Sequence, residues 1–287
     1  MKPRRIDAFS YAGEADMLEC HLTEVGDIFD HVIIVEADVT HGDNRPKPYT
    51  YLEQADRFDR WADKIVYVQA TNLPDDPDDA WGREIAQREW TRVGLEQIDA
   101  DPNDILFYGD VDEIPKRLVA KHAVPQQMMV LAMRFHPFAV DWRHPTEWPG
   151  TVVGPVRGIS SFMSMRALRG TLIEDPAKRQ VLWDAGWHLS WVTDSIVEKQ
   201  DKLNTFCHPE IRPAWEDHLD DCYETGIHVD GSPLIPVDVI DGEWPRWITE
   251  GHCPPGWFRP RHVTRERPYI EPIPAKAPPS VLLPVIR

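Results

Sequence analysis

The acidic sequence Asp110-Val111-Asp112-Glu113 is the part of the chain best suited to do chemistry. It follows an apolar run, residues 104–109, whose strand-forming residues predict a buried strand. In extended geometry, Asp110 and Asp112 point to one face of the strand and Glu113 to the other. Adjacent carboxylates repel unless a cation lies between them, and oxygen ligands favour Mg²⁺ or Mn²⁺ carried in with substrate phosphates. The alternative interpretation is a solvated acidic turn.

The first half of the chain alternates strand and helix signals around this sequence. Strands are predicted at residues 5–10, 31–36, 64–69 and 104–109, and helices at residues 15–24 and 80–98. This order predicts an α/β fold with an open, mostly parallel sheet and helices on both faces. Ligands of such sheets bind beyond the carboxyl ends of the strands. Tyr11, Glu36 and Asp110 all lie at such ends.

The second half of the chain predicts mixed α+β structure. Residues 128–135 and 138–142 are expected to pair as antiparallel strands, residues 151–156 and 186–192 to form further strands, and residues 194–206 a helix capped by Asp194 or Ser195. Proline becomes frequent from Ser232, and residues 272–284 are predicted to be a tail that is either extended on the surface or disordered. We therefore predict one domain, residues 1–231, with halves 1–125 and 126–231, and a proline-rich C-terminal extension, residues 232–287.

Composition excludes several classes of partner. The net charge of −17 argues against nucleic acid and anionic membrane, which both require a basic surface. The chain begins directly at the first strand, and it has no run of roughly 20 apolar residues that could span a bilayer. We therefore expect a cytoplasmic protein without a membrane span. Cys207, His208, His218, Cys222 and His228 match no compact zinc motif, and we interpret them as structural residues.

A series of short motifs extends from Ile6 to Glu210. They are residues 7–11 with Glu14, Asp16, Leu18 and Glu19; residues 35–36, 45–48, 57–58 and 64–68; residues 80–81 with Glu84, Gln87 and Arg88; residues 109–115; residues 186–190; and residues 202–203 with Phe206 and His208. In this order they resemble the glycosyltransferase family that contains the bisecting N-acetylglucosaminyltransferase, which acts on β-1,4-mannosyl glycoproteins. The acidic sequence together with Gly186-Trp187-His188-Leu189-Ser190 is the most specific part of the resemblance.

The resemblance implies a GT-A-like domain and an inverting transferase that uses a nucleotide-sugar donor, with UDP as the expected nucleotide. The half 1–125 would bind the donor, and the half 126–231 the acceptor. Asp112 would hold Mn²⁺ or Mg²⁺, with Asp110 on the metal or the ribose, so that charge on the leaving diphosphate is stabilised. His188 is expected either to bind the metal or diphosphate or to be a packed core histidine.

Other donor-site roles follow from the same resemblance. Arg88 is expected to clamp the diphosphate, and Tyr11 and Glu36 to contact the base or ribose. An inverting transfer also needs a base that accepts the proton of the acceptor hydroxyl. Asp184 and Asp194 are the preferred candidates because they flank residues 186–190. Trp142, Trp148, Trp187 and Trp191 could supply one or two indole faces that stack on a sugar.

Two other functions remain as alternatives. A phosphatase of the haloacid dehalogenase type would use Asp110 as nucleophile and Asp112 as acid, but its motif usually lies near the N-terminus. A non-catalytic carbohydrate-binding protein would not need the acidic sequence. The donor sugar stays open between N-acetylglucosamine and other hexoses, and the acceptor between a glycan, a protein and a lipid-linked saccharide.

Overall fold

The computed structural model describes residues 2–76, 78–174, 180–208, 215–216 and 218–259. The strands are β1 (Arg5–Tyr11), β2 (His31–Ala37), β3 (Ile65–Ala70), β4 (Ile105–Asp110), β5 (Glu113–Pro115), β6 (Met129–Phe135), β7 (Trp142–Arg143), β8 (Trp148–Pro155), β9 (Val181–Leu182), β10 (Gly186–His188) and β11 (Ile235–Pro236). The α-helices are α1 (Ala15–Val25), α2 (Thr50–Glu53), α3 (Ala80–Glu89), α4 (Thr91–Gln97), α5 (Arg117–His122), α6 (Phe162–Ile173), α7 (Ile196–Thr205), α8 (Leu219–Thr225) and α9 (Arg246–Thr249). Short 3₁₀ helices are Ala55–Trp61, Val156–Gly158 and Pro255–Trp257.

One large sheet organises the molecule. Its strand order is β3-β2-β1-β4-β8-β6-β10-β5, and β9 pairs with β6. The first four strands are parallel to one another, whereas β8 runs antiparallel to both β4 and β6, and β5 runs antiparallel to β10. This topology confirms the predicted α/β class, with a parallel first half and a mixed second half.

The carboxyl ends of the central parallel strands lie at the same edge of the sheet. Ser10 of β1 is in register with Val35 of β2 and with Asp110 of β4, and Tyr11 is in register with Glu36. Residues that follow these strands are therefore brought together although they are far apart in the sequence. This edge is where a ligand of an open parallel sheet is expected.

Two apolar layers cover the two faces of this sheet. Strand residues alternate between them, so that Phe9 packs with α1 on one face, while Ile6 and Ala8 face the layer that contains Leu95 of α4 and Phe162 of α6. Helix α4 approaches β2 closely at Gly94, where an added Cβ would clash with Ile33. Helices on both faces were predicted, and this packing confirms them.

Several predicted elements differ from those observed. The helix expected at residues 80–98 is divided at Trp90. There Trp90 N donates to Gln87 O and Val93 N donates to Trp90 O, so each hydrogen bond spans three residues instead of the four of an α-helix. The strand expected at residues 138–142 is wrong, because Phe138 has a left-handed backbone with φ 71°. Strand β6 pairs instead with β8. The sequence interpretation also contained no helix at α6.

The segment from residue 232 to residue 259 packs into the main core. Trp244, Trp247 and Trp257 belong to the same apolar layer as α1, and the backbone N–H of Arg246 donates to the Glu24 carboxylate at 2.9 Å. The predicted boundary at residue 231 is therefore not a break in packing among the described residues, although the division into domains stays a prediction. The tail predicted at residues 272–284 lies outside the described residues.

No helix within the described ranges combines the length and the apolar character that a bilayer crossing requires.

Candidate active site

A cavity of about 310 Å³ opens beyond the carboxyl ends of β1 and β4. Gly13 and Glu14 line it from the loop after β1, and Val111 and Asp112 from the turn after β4. Residues 192–194, Glu198 and Lys202 of α7, and Trp257 also line it. Its charged lining residues are Glu14, Asp16, Arg57, Asp112, Asp194, Glu198 and Lys202. Acids outnumber bases in this cavity, which suits a cation or the hydroxyl groups of a sugar.

Asp112 is the most buried acid of this lining, with 9% of its surface exposed. Its carboxylate oxygens lie 3.5 Å from His188 Nε2 and 3.7 Å from Lys202 Nζ. Burial alone would raise the pKa of Asp112, and Asp110 acts in the same direction, but His188 and Lys202 outweigh both and hold the pKa below its ordinary value. Asp112 is therefore a charged carboxylate on the cavity wall.

Asp110, in contrast, is held by two arginines. Its Oδ1 accepts a hydrogen bond from Arg88 Nη2 at 2.8 Å, and its Oδ2 lies 2.6 Å from Arg166 Nη1. Arg88 is itself anchored by Glu84, one helical turn earlier on α3, at 2.6 Å. Burial opposes ionisation, yet Arg166 and Arg88 hold the pKa of Asp110 well below its ordinary value. Arg88 thus binds Asp110 directly, and the clamping of a diphosphate by Arg88 stays a prediction.

Glu113 faces the same helix as Asp110. Its Oε1 accepts hydrogen bonds from Arg169 at 2.9 Å and from the Trp148 indole at 3.0 Å. Its Oε2 reaches Asp110 N at 3.3 Å, and the absence of a side chain at Gly109 permits this approach. The prediction that Asp110 and Asp112 share a face is therefore wrong. The chain turns at residues 111–112, so the alternation of a strand does not continue through them.

Asp112 and His188 fit a divalent cation. Two ligands about 2.1 Å from one ion lie roughly 3 to 3.5 Å apart, and Asp112 Oδ1 is 3.5 Å from His188 Nε2. The His188 ring stacks on the ring of Phe135, with 5.3 Å between ring centroids, and its centroid lies 4.7 Å from that of the Trp148 ring. Carboxylate oxygen and imidazole nitrogen are both accepted by Mn²⁺. Both oxygens of Asp110 already contact arginines, so Asp110 is the less available of the predicted ligands.

Comparison with known proteins gives the family. The family model of glycosyltransferase family 17 matches residues 1–221. The chain belongs to glycosyltransferase family 17. The resemblance noted in the sequence is thereby confirmed at the level of the family. The match does not favour the phosphatase alternative.

Relatives of known name are distant. The beta-1,4-mannosyl-glycoprotein 4-beta-N-acetylglucosaminyltransferase of Homo sapiens is 25% identical over 217 residues, which cover 66% of this chain and 41% of that protein. The protein of the same name from Rattus norvegicus is 24% identical and is covered to 40%. The family 17 chain thus spans about two fifths of the length of these relatives.

Solved structures give only remote similarity. The glycosyltransferase GlyE of Streptococcus pneumoniae TIGR4 aligns with a TM-score of 0.30 at 11% identity, covering 62% of this chain and 40% of GlyE. A nucleoside-diphosphate-sugar pyrophosphorylase from Vibrio cholerae RC9 aligns with a TM-score of 0.30 at 6% identity, covering 63% of this chain and 84% of that one.

Glu36 and Tyr11 lie at the predicted sheet edge of the family 17 chain, and both side chains are buried. Glu36 is fully buried and accepts hydrogen bonds from Lys47, Thr50, Tyr51 and Tyr67. Tyr11 is buried, and its ring meets that of Tyr51 edge-on at 6.5 Å. Neither residue lines the cavity. Their contact with a base or ribose stays a prediction that this placement does not favour.

The structure separates the two candidate bases. Asp194 lines the cavity together with Asp112, and its Oδ1 accepts a hydrogen bond from Gly256 N at 3.1 Å. Asp184 precedes β10 at the end opposite His188, and it is bound by Arg134 and Lys116, each at 2.7 Å. Asp184 does not line the cavity. The geometry therefore favours Asp194 of the two.

Sequence reasoning assigned no role to several residues of the site. Lys202 was part of the family resemblance only. Arg166 and Arg169 share a face of α6 because they are three residues apart, and Ser161, which caps α6, was the available signal for this helix. The four tryptophans considered for sugar stacking do not line the cavity, whereas Trp257 does.

Proposed function

We propose that the family 17 chain is a metal-dependent, inverting glycosyltransferase. It moves a sugar from a nucleotide-sugar donor, UDP-linked in this proposal, to a hydroxyl of a glycan, protein or lipid-linked acceptor. The names of the relatives make N-acetylglucosamine the first donor sugar to test, with other hexoses next. The observation that carries the proposal is the buried Asp112 carboxylate on a cavity wall, 3.5 Å from His188 and 3.7 Å from Lys202.

In this proposal, Asp112 holds Mn²⁺ or Mg²⁺, and the His188 imidazole adds a nitrogen ligand when the ion is Mn²⁺. When bound, the ion acts as a Lewis acid on the diphosphate and stabilises the charge that develops on the leaving oxygen. Lys202 adds a second positive charge at the same place, since its ammonium lies 3.7 Å from Asp112. Asp110 keeps Arg88 and Arg166 in position behind the cavity.

Asp194 serves as the base in this scheme. Its Oδ1 is fixed by the backbone of Gly256, which orients the carboxylate in the cavity wall. The carboxylate accepts the proton of the acceptor hydroxyl while the hydroxyl oxygen bonds to the anomeric carbon. The bond from that carbon to the diphosphate oxygen breaks on the opposite side, and the electron pair leaves with the nucleotide. The configuration at the sugar carbon is thereby inverted.

The proposal is tested by UDP release from UDP-N-acetylglucosamine, UDP-glucose and UDP-galactose with Mn²⁺ and with EDTA. The Asp112→Asn variant is expected to lose at least ~10²-fold in kcat, because a group that stabilises developing charge is removed. Asp59→Asn, at an exposed position outside the cavity, is the control and should retain the wild-type rate. Turnover that survives EDTA, or a fully active and folded Asp112→Asn variant, contradicts the proposal. Hydrolysis of a simple phosphate ester instead would favour the phosphatase alternative.

A further inference from the structure

A second group of metal-ligating side chains lies outside the cavity. His144 follows β7, and His228 and Asp230 belong to the loop between α8 and β11. The Asp230 carboxylate lies 3.1 Å from His144 Nε2 and 3.1 Å from His228 Nδ1. One ligand atom from each of the three residues lies within 4.8 Å of the other two. We refer to these three residues as the lateral cluster.

The lateral cluster is built into the fold. The side chain of His144 is 5% exposed and that of His228 is 12% exposed. Their rings meet edge-on at 5.0 Å, and Phe135 packs against both. Asp230 Oδ1 also accepts a hydrogen bond from Ser232 N at 2.8 Å, which fixes the carboxylate. Packing therefore already fixes most of these side chains, so that binding an ion costs little of their conformational entropy.

The charge of the lateral cluster suits a cation. The Asp230 carboxylate stands between the two imidazole rings, 3.1 Å from a ring nitrogen of each. The cluster therefore offers carboxylate oxygen and imidazole nitrogen atoms close together. Both kinds of atom bind metal in their deprotonated form.

We propose that the lateral cluster binds one Zn²⁺ ion through His144 Nε2, His228 Nδ1 and the Asp230 carboxylate. Two imidazole nitrogens and one carboxylate oxygen form a ligand set typical of Zn²⁺, whereas Mg²⁺ and Ca²⁺ prefer oxygen ligands alone. A water molecule completes the tetrahedron. The ion links the end of β7 to the loop that leads into β11, the strand that pairs with β7. This inference does not depend on the proposed transferase activity.

Thr146 provides the outer contact that such a histidine ligand requires. Without metal, His144 Nε2 donates its proton to Asp230, and Nδ1 accepts from Thr146. If Zn²⁺ were bound at Nε2, this proton would move to Nδ1 and be accepted by Thr146 Oγ1, 2.9 Å away, and the Thr146 backbone N–H would give up its bond to Nδ1. No net proton is gained or lost at His144. A hydrogen bond of this kind orients a ligating imidazole.

The test uses the full chain with the Asp112→Asn substitution, so that the cavity site cannot contribute. After chelator treatment, Zn²⁺ is titrated by calorimetry, and the metal retained after gel filtration is measured. One Zn²⁺ per chain is expected. Co²⁺ in its place should give the visible absorption of a tetrahedral ion, which ions bound loosely to surface carboxylates do not give.

Two substitutions in the same background decide the outcome. His144→Gln and Asp230→Asn should each abolish stoichiometric binding, and Asp230, being 44% exposed, can be changed without disturbing the core. The control is His252→Gln, an exposed histidine that lies 3.5 Å from Glu250 and should leave binding unchanged. Circular dichroism verifies that each variant is folded. The proposal is overturned if the folded parent binds no stoichiometric Zn²⁺, or if Asp230→Asn binds it equally well.

Discussion

Replacing Glu36 by Gln tests whether this residue is an anchor of the fold or a contact for the donor. Glu36 Oε1 accepts from Lys47 Nζ at 2.8 Å and from the amide and hydroxyl of Thr50 at 2.9 and 2.6 Å. Oε2 accepts from Tyr51 N at 3.1 Å and from the Tyr67 hydroxyl at 2.8 Å. These bonds hold the loop before α2 and the side chain of Tyr67 against the end of β2. The substitution changes one acceptor oxygen into a donor and removes the charge.

The cost follows from these contacts. If the amide oxygen of the new Gln stays with Lys47 and Thr50, its NH₂ group faces Tyr51 N–H, which is left buried without an acceptor at about 1–3 kcal/mol. The Tyr67 hydroxyl can turn and accept a bond, so it costs little. Lys47 loses its charge partner, which adds about 1.5–3 kcal/mol. The free energy of unfolding should therefore fall by about 3–5 kcal/mol, the range for a broken buried ion pair.

Urea denaturation, followed by tryptophan fluorescence and by circular dichroism, measures this loss. With a slope of about 3 kcal/mol per molar urea, the midpoint should fall by about 1 M or more. Glu53→Gln, an exposed change on α2, is the matched control and should stay within about 0.5 kcal/mol of wild type. If Glu36→Gln unfolds at the wild-type urea concentration but no longer binds UDP, the anchoring role is refuted and the donor contact is supported.

Two further substitutions test the site and its surroundings. Asp194→Asn should lower kcat by ~10²–10⁴-fold, as expected for removal of a general base, whereas Asp184→Asn should cost less than tenfold, because its partners Arg134 and Lys116 hold it away from the cavity. The reverse order of kcat values would contradict the assignment. Burial raises the pKa of Glu84, but nearby arginines outweigh it and bring the value to about 2. The contribution of the ionised Glu84 to stability is complete above pH 4.5 and is lost as the pH falls towards 2. Glu84→Gln should therefore remove about 3 kcal/mol of the acid dependence of the free energy of unfolding. An unchanged dependence of stability on acid pH would contradict this role of Glu84.

The first half of the fold was predictable because its signals are local. Apolar runs within residues 31–36 and 104–109 identify strands buried on both faces, and the helical period of α1 identifies its packed face. The pairing of β6 with β8 could not be obtained in this way. The loop between these strands contains Phe138 in a left-handed conformation, which a local pattern does not reveal.

The candidate site was predictable only in part, for a similar reason. The type and spacing of Asp110 and Asp112 indicated a cation site, and their position after β4 placed that site at the carboxyl end of the strand. Which of the two faces the cavity depends on arginines from α6 and a lysine from α7, far away in sequence. Glu36 was expected to contact the base or ribose because of the family resemblance and its place at the carboxyl end of a strand. The structure shows that five hydrogen-bond donors of the protein surround the Glu36 carboxylate.

The packing of the late tryptophans has a consequence for biosynthesis. Trp247 and Trp257 cover the apolar layer around α1, and Trp257 closes the cavity opposite Glu14. At roughly 5–20 residues per second, the ribosome needs roughly 10 to 50 s to proceed from α1 to Trp257. During that interval the apolar face of α1 is exposed in the nascent polypeptide, and a chaperone can cover it. The cavity lacks the part of its lining that Trp257 forms until that residue has emerged.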